Sequence, residues 1–298
     1  MMQKTKIAIV GVGRWGKKLL AEFNKQTEVI SACHHGNPET ANFLRDTYPN
    51  LQITTSLEEI LNNPEIEAVA VATPTKTHFE IASQVIRAGK HLFIEKPGSE
   101  TSRELSELCQ LAETKKLCLA VGYEFPHHSA SRQIKKLVPP TEMQGIFSCW
   151  SKWGTFNDHA VPHLLSHEIS VLQNWGIDLL KPRNYQQQTV ISSSDIIAVE
   201  WENSQGLFIS NHINRISPIK GKAITVLGRD KAYIWQDDDL FEVNRETRTR
   251  DQITPSTDSA VAAEIIDFLE SITEKRQPIC GGLSALRVLE TIESINFS

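Results

Sequence analysis

Residues 6–16 read Lys-Ile-Ala-Ile-Val-Gly-Val-Gly-Arg-Trp-Gly, a short apolar run that ends in Gly11, Gly13 and Gly16 at the spacing GxGxxG. Each glycine in such a turn has its own task. The first permits the tight bend out of a strand, the second lets the backbone approach a pyrophosphate, and the third lets the next helix lie close to the sheet. A helix expected from Arg14 to Phe23 would offer its free N–H groups and the positive end of its dipole to phosphates. Taken alone, GxGxxG is only a tight turn. Here the strand-like Ile7-Ala8-Ile9-Val10 precedes it and the helix-like Lys17-Lys18-Leu19-Leu20 follows, so the stretch predicts a dinucleotide site on Gly11, Gly13, Arg14, Trp15 and Gly16.

Outward from this turn the chain alternates. A strand is expected over residues 29–33, a helix from Pro38 to Asp46 and a short strand near Ile53. Ser56 with Glu59 three residues on is a helix-start signature. Ala68-Val69-Ala70-Val71-Ala72, closed by Thr73-Pro74, has the unbroken apolar character of a strand buried on both faces. A helix from Lys76 to Ala88 stops at Gly89, and strand, helix and strand follow over residues 91–94, 102–114 and 117–121. This pace predicts right-handed crossovers and a doubly wound parallel sheet, an α/β Rossmann domain over residues 1–122.

Beyond residue 122 the pattern changes. Helical stretches are expected over residues 130–137 and 163–175 with a strand over 145–153 between them, and extended runs then succeed one another over 188–192, 196–201, 207–213, 223–227 and 231–235. Consecutive strands without helices between them predict an open, mostly antiparallel sheet. Residues 123–298 are therefore expected to form an α+β domain for substrate binding and oligomerisation. Its closing helices, over 260–273 and 283–295, are free to pack back on the first domain.

Composition narrows the classes. Lys and Arg number 31 against 36 Asp and Glu, a net charge of −5, so no global basic field exists to hold nucleic acid or an anionic membrane. No stretch approaches the roughly 18 apolar residues of a membrane span, and the opening Met-Met-Gln-Lys-Thr-Lys lacks the apolar core of a signal peptide. Five scattered cysteines with no CxxC pair read as reduced thiols of a cytoplasmic protein.

With these residues in place, the chain resembles the glucose-fructose oxidoreductase and inositol dehydrogenase family (Gfo/Idh/MocA) along nearly its whole length. The resemblance runs from Gly11-Val12-Gly13-Arg14-Trp15-Gly16 through Ala72-Thr73-Pro74-Thr75-Lys76-Thr77-His78, similar to that family's ATPT-x-x-H segment. It is most specific at Ala88-Gly89-Lys90-His91-Leu92-Phe93-Ile94-Glu95-Lys96-Pro97, the AGKH-x-x-x-EKP signature. Ser166-His167-Glu168-Ile169-Ser170 is similar to the HD-[LI]-S helix, and Glu264-Ile265-Ile266-Asp267-Phe268-Leu269 to the usual tail. The resemblance implies an NAD(P)-dependent dehydrogenase or reductase acting on CH–OH groups of a sugar, cyclitol or nucleotide-sugar, assembled as a homodimer or homotetramer. Two further readings stay open: a reductase of a non-sugar compound, as in the related biliverdin reductases, and a catalytically silent dinucleotide sensor.

Hydride transfer needs a positioned nicotinamide and a proton relay at the alcohol oxygen. Lys96 follows a strand at the carboxyl edge of the sheet, where an ammonium can stabilise a developing alkoxide, with Glu95 to orient it and Pro97 to fix the backbone. His167 is the second catalytic candidate, since a neutral imidazole takes or returns a proton near pH 7. Four residues earlier, where the family often has Asp, stands His163, and one α-helical turn would put both imidazoles on one face. The resemblance adds Thr73, Pro74 and His78 to the cofactor site with Glu95 and Lys96, and Tyr123 to the substrate site with Lys96, Asn157, His163 and His167. His127, Lys152, Asp158, Lys220 and Lys222 are further candidates for hydroxyls, a carboxylate or phosphates. His159, His163 and His167 recur every four residues without a completing ligand, and no metal is expected. The second strand ends Cys33-His34-His35-Gly36-Asn37, without the acid that holds NAD by its ribose hydroxyls. His35 or Asn37 can donate to either coenzyme, and the choice between NAD and NADP stays open with a lean to NADP.

Overall fold

In the computed structural model, which describes residues 4–154, 161–192, 194–253 and 259–295, the first half of the chain builds one parallel sheet. Its elements are Lys6–Val10 (β1), Arg14–Gln26 (α1), Glu28–Cys33 (β2), Pro38–Thr47 (α2), Gln52–Thr54 (β3), Leu57–Asn62 (α3), Ala68–Val71 (β4), His78–Arg87 (α4), His91–Glu95 (β5), Ser102–Lys115 (α5) and Leu119–Gly122 (β6). The strand order is β3-β2-β1-β4-β5-β6. The order reverses between β1 and β4, and their carboxyl ends open the crevice where doubly wound folds take ligands.

Local chemistry explains the element ends. Asn37 caps α2 by accepting the N–H groups of Glu39 and Thr40 at 2.8 and 3.3 Å. Ser56 caps α3 through the Glu59 N–H, and Thr101 with Glu104 forms a reciprocal capping box on α5. Val69, Ala70 and Val71 are fully buried, as both faces of a parallel sheet require.

The second half begins with Ser129–Leu137 (α6), Gly145–Trp153 (β7) and Ser166–Asn174 (α7). Seven strands then follow: Lys181–Gln188 (β8), Ile196–Glu202 (β9), Phe208–Asn214 (β10), Ile216–Leu227 (β11), Lys231–Gln236 (β12), Asp239–Asn244 (β13) and Arg250–Ile253 (β14). The chain closes with Ala260–Glu274 (α8) and Gly282–Glu293 (α9). The eight strands are ordered β14-β13-β12-β11-β7-β10-β9-β8, antiparallel except where β10 runs parallel to β7. One sheet face is buried through Ile146, Ser148, Ile224 and Val226, while Phe147, Cys149 and Trp153 point to the opposite, open face.

Two compact units result. The first holds the described residues up to Glu124 with Ser259–Leu286, so α8 belongs to the parallel-sheet half; the second holds the described residues from Phe125 to Ile253 and from Arg287 onward. In the first unit, Phe268 of α8 packs edge-on against Phe93 of β5 and Phe23 of α1, with ring centroids 5.7 and 6.4 Å away. Among the described residues no helix is long and apolar enough to cross a membrane.

One expected strand is displaced. Beyond Gln188, residues 189–192 form no strand because Asp195 takes the backbone N–H groups of Val190, Ile191 and Ser192 at 2.8, 2.5 and 2.8 Å. Those donors are lost to any ladder, and the strand lies upstream, at Lys181–Gln188. The same carboxylate accepts from Arg215 Nε at 3.0 Å, a fully buried ion pair that pins the turn to the end of β10. Its pKa is held well below the usual range by those hydrogen bonds, against the opposing effect of burial.

Candidate functional site

The glycine turn of the first unit separates what the protein needs from what a guest needs. Gly11 has φ +93°, and a Cβ there would stand 2.7 Å from the Ala72 carbonyl oxygen. A Cβ at Gly16 would meet the Gly11 carbonyl oxygen at 1.9 Å. Both positions are closed to any side chain by the fold itself. Gly13 differs: its φ of −76° suits any residue, and a Cβ there finds no protein atom within 4 Å. Nothing in the chain requires glycine at position 13. Helix α1 begins there with no side-chain cap and no acidic residue in its first turn, which leaves its positive end uncompensated. Open space in front of bare, positively polarised N–H groups is what a diphosphate fits.

Beside this turn, Glu95 ends β5 with its carboxylate buried. One oxygen accepts the Trp15 indole N–H and the other the Lys96 backbone N–H at 3.2 Å. Burial pushes its pKa up to about 7, against the opposing effects of Trp15 and the Lys96 charge. The carboxylate lies over Gly122 of β6, where a Cβ would come within 3.0 Å of it. Lys96 is half-buried, and the Lys96–Pro97 peptide bond is cis.

His78 takes a different place from the one expected. Its ring nitrogens lie 2.8 Å from the carbonyl oxygens of Pro97 and Thr73, so the buried imidazole clamps the turn after β4 to the turn after β5. Trp15 likewise commits its single donor to Glu95, while its ring is exposed under the Lys18 ammonium, 4.2 Å from the centroid. At the end of β2, His35 is exposed, whereas the Asn37 carbonyl is spent as the α2 cap. Tyr123, expected at the substrate, is a core side chain of the first unit, 1% exposed, and its carbonyl accepts the Cys280 thiol at 3.5 Å.

The second unit collects aromatic rings around His167. The imidazole, 8% exposed, lies between Phe125 and Trp150, with centroids at 4.7 and 5.6 Å. Phe125 also carries the Lys222 ammonium 3.0 Å from its centroid, and Lys222 stands 4.2 Å from the Trp235 ring and 5.4 Å from Trp150. Pairing of Lys222 with Trp150 across β11 and β7 sets this arrangement. Lys152, on the same sheet face as Trp150, holds its ammonium 5.5 Å from that ring, so two cations flank one indole.

Next to His167 on α7, Glu168 is fully buried and accepts the Ser148 hydroxyl at 2.6 Å. Ser148 accepts from Asn211 Nδ2 at 2.5 Å, and Asn211 accepts the Trp201 indole N–H at 2.7 Å. Burial pushes Glu168 up to about 7, with Ser148, Lys222 and Asn211 opposing. His163 lies in a π-helical turn, Val161–Leu165, and α7 starts after it, at Ser166. Asn157, Asp158 and His159 lie outside the described residues. His127 is buried in the turn before α6, and Lys220 is exposed.

Phe125, Trp150, Trp235 and Glu168 were not anticipated. Only Glu168 carried a sequence signal, in standing where the family's helix motif has Asp.

These features define a Rossmann-type parallel-sheet unit followed in the chain by a mostly antiparallel sheet unit. Residues 5–123 match the family model described as oxidoreductase family, NAD-binding Rossmann fold (GFO_IDH_MocA). Over those residues the chain is similar to the Gfo/Idh/MocA oxidoreductases. An uncharacterized oxidoreductase of Schizosaccharomyces pombe is 34% identical over 124 residues, 40% of this chain and 34% of the relative. The scyllo-inositol 2-dehydrogenase (NADP(+)) of Bacillus subtilis is 30% identical over 141 residues, 47% of this chain and 39% of that one. UDP-N-acetylglucosamine 3-dehydrogenase of Acidithiobacillus ferrooxidans is 25% identical over 238 residues, 76% of each chain. Its solved structure superposes with a TM-score of 0.89 at 20% identity, covering 99% of this chain and 97% of that one, a likeness of fold. The chain spans about a third of the length of the first three curated relatives it matches, 34%, 34% and 36%.

Proposed function

We propose that the protein is an NAD(P)-dependent oxidoreductase that interconverts a secondary alcohol and a ketone on a sugar, cyclitol or nucleotide-sugar. The observation that carries the reading is Gly13, a glycine the fold does not need at the uncapped start of a helix. The nicotinamide coenzyme supplies and accepts the hydride when bound. Gly11, Gly13 and the first turn of α1 hold its diphosphate, and β2, which ends without a carboxylate, favours NADP over NAD by not repelling a 2′-phosphate. Lys96 donates a hydrogen bond to the substrate oxygen and stabilises negative charge as it develops there. His167 is the proposed proton acceptor, its ring plane fixed by Phe125 and Trp150.

The second unit supports a finer choice of substrate. An indole such as Trp150 stacks on the C–H face of a sugar ring, and the ammonium groups of Lys152 and Lys222 beside it favour a sugar bearing phosphate or carboxylate over a neutral cyclitol. The open sheet face of that unit, with Phe147 and Phe208 stacked 5.5 Å apart and both more than two-fifths exposed, is proposed to dock a second copy of the chain.

Native mass spectrometry of the purified protein, followed by coenzyme reduction with nucleotide-sugars, sugar acids and inositols, tests the reading. Retained NADP(H) or NAD(H) and turnover on an anionic sugar are expected. Tight coenzyme binding without turnover across the panel would replace the enzyme reading with a dinucleotide sensor, and no coenzyme binding would end both.

A further inference from the structure

Helix α8 brings to the first unit a carboxyl group that the proposed chemistry has not used. Glu264 is 3% exposed, and neither of its oxygens has a hydrogen-bond partner among the described residues. The ring contact one turn away locates it. Phe268 rests on Phe93 with centroids 5.7 Å apart. Glu264 lies four residues before Phe268 on the same face of α8, about 6 Å back along the helix, and Glu95 lies two residues beyond Phe93 on the same face of β5, about 6.6 Å along the strand. The charge of Glu95 acts on Glu264, while that of Asp267, nearly a turn further on, acts on Cys118 at the amino end of β6, so the helix runs against the strand, the two steps coincide, and the carboxyls of Glu264 and Glu95 are placed together at the carboxyl edge of the sheet.

Two buried carboxyls at close quarters do not both ionise. Which one keeps the proton follows from their partners. The Glu95 anion is stabilised by the Trp15 indole N–H, the Lys96 backbone N–H and the Lys96 charge, whereas Glu264 has no hydrogen-bond donor. We propose that Glu264 is a positioning residue that holds the single proton of a Glu95–Glu264 pair, so that Glu95 stays anionic beside Lys96. The charged groups around Glu264 agree with this. Burial first, then the negative charges of Glu95 and Glu124, hold its carboxyl well above the ordinary range, with Lys18 of α1 opposing. Asp267, on the same helix, is spent on Arg276 and the Ile279 N–H. The role at Lys96 rests on the oxidoreductase reading; the shared proton does not.

The test uses the whole chain and the E264Q and E95Q variants. Infrared spectra near neutral pH should show, beside the buried Glu168 carboxyl common to all three proteins, a second protonated carboxyl in the wild type that disappears in E264Q and persists in E95Q. Thermal melts should show E264Q gaining on the wild type as pH rises from about 5 to about 9, because only the wild type must hold or lose that proton. Where a substrate is turned over, the E264Q profile of kcat against pH should lose an alkaline inflection with KM unchanged. A wild-type-minus-E264Q difference spectrum with no protonated-carboxyl band, or a melting difference that does not vary with pH, overturns the shared proton. Loss of the signal with a wild-type kcat profile refutes the positioning role alone, and a coenzyme-free, inactive protein that still passes the infrared test refutes only the oxidoreductase reading.

Discussion

Replacing Gly13 with Ala separates the requirements of the fold from those of the ligand. The new methyl meets no protein atom within 4 Å and the backbone φ of −76° suits alanine. Loss of a tolerable N-cap costs about 1 kcal/mol, and the stiffer unfolded chain returns about 0.4–1 kcal/mol, so stability should move by less than about 1 kcal/mol. Coenzyme binding should not survive so well. A methyl between the turn and a diphosphate displaces the phosphate from about two charge-assisted N–H bonds, each worth about 1.5–3 kcal/mol, or two to four orders of magnitude in Kd. Gly16→Ala is the contrasting case. Its Cβ would lie 1.9 Å from the Gly11 carbonyl oxygen, and the backbone must move, at a cost above about 3 kcal/mol. Differential scanning fluorimetry and titration calorimetry with NADH and NADPH read both quantities. A Gly13→Ala protein that binds coenzyme as the wild type does, or that melts as Gly16→Ala does, would refute the reasoning.

Lys96→Met should keep coenzyme affinity within about three-fold and lower kcat by about 10²–10⁴, measured by steady-state coenzyme reduction. Glu168 is pushed up to about 7 in the folded state against about 4.3 unfolded, so the stability associated with its proton is full below about pH 4.3 and is lost as pH rises through about 7. Glu168→Gln should therefore gain about 3 kcal/mol on the wild type between those limits in urea melts, and a gap independent of pH would contradict the assignment. Phe147→Glu places a charge on the open sheet face where Phe147 is 41% exposed, and should lower the solution mass seen by light scattering without lowering the melting temperature.

The parallel sheet was legible because its signals are local. Gly11 and Gly16 answer to steric contacts within one turn, and the Val-rich β4 to burial on both faces. Contacts that cross the chain left no such trace. Trp15 and Glu95 are 80 residues apart, and only the order of β1, β4 and β5 brings the indole over the carboxylate. The setting of Lys222 among three rings depends on the register of β11 against β7, which hydrophobic alternation does not specify. The π-helical turn at Val161–Leu165 was not foreseen because periodicity cannot distinguish it from an α-helical one, and residues 189–192 were misread as strand because a single buried aspartate outcompetes their β-propensity. Tyr123 was taken for a pocket wall from its place after β6, where backbone position says nothing of side-chain direction.

Because Phe268 completes the edge-on ring cluster with Phe23 and Phe93, the parallel-sheet half lacks part of its own interior until more than 260 residues have been translated. A nascent chain paused before α8 would display Phe93 and its neighbours to chaperones and proteases. Truncations that end at the last parallel strand to isolate this half should come out aggregated, while a fusion that splices residues 259–286 directly after β6 should restore a soluble module that carries the proposed coenzyme site.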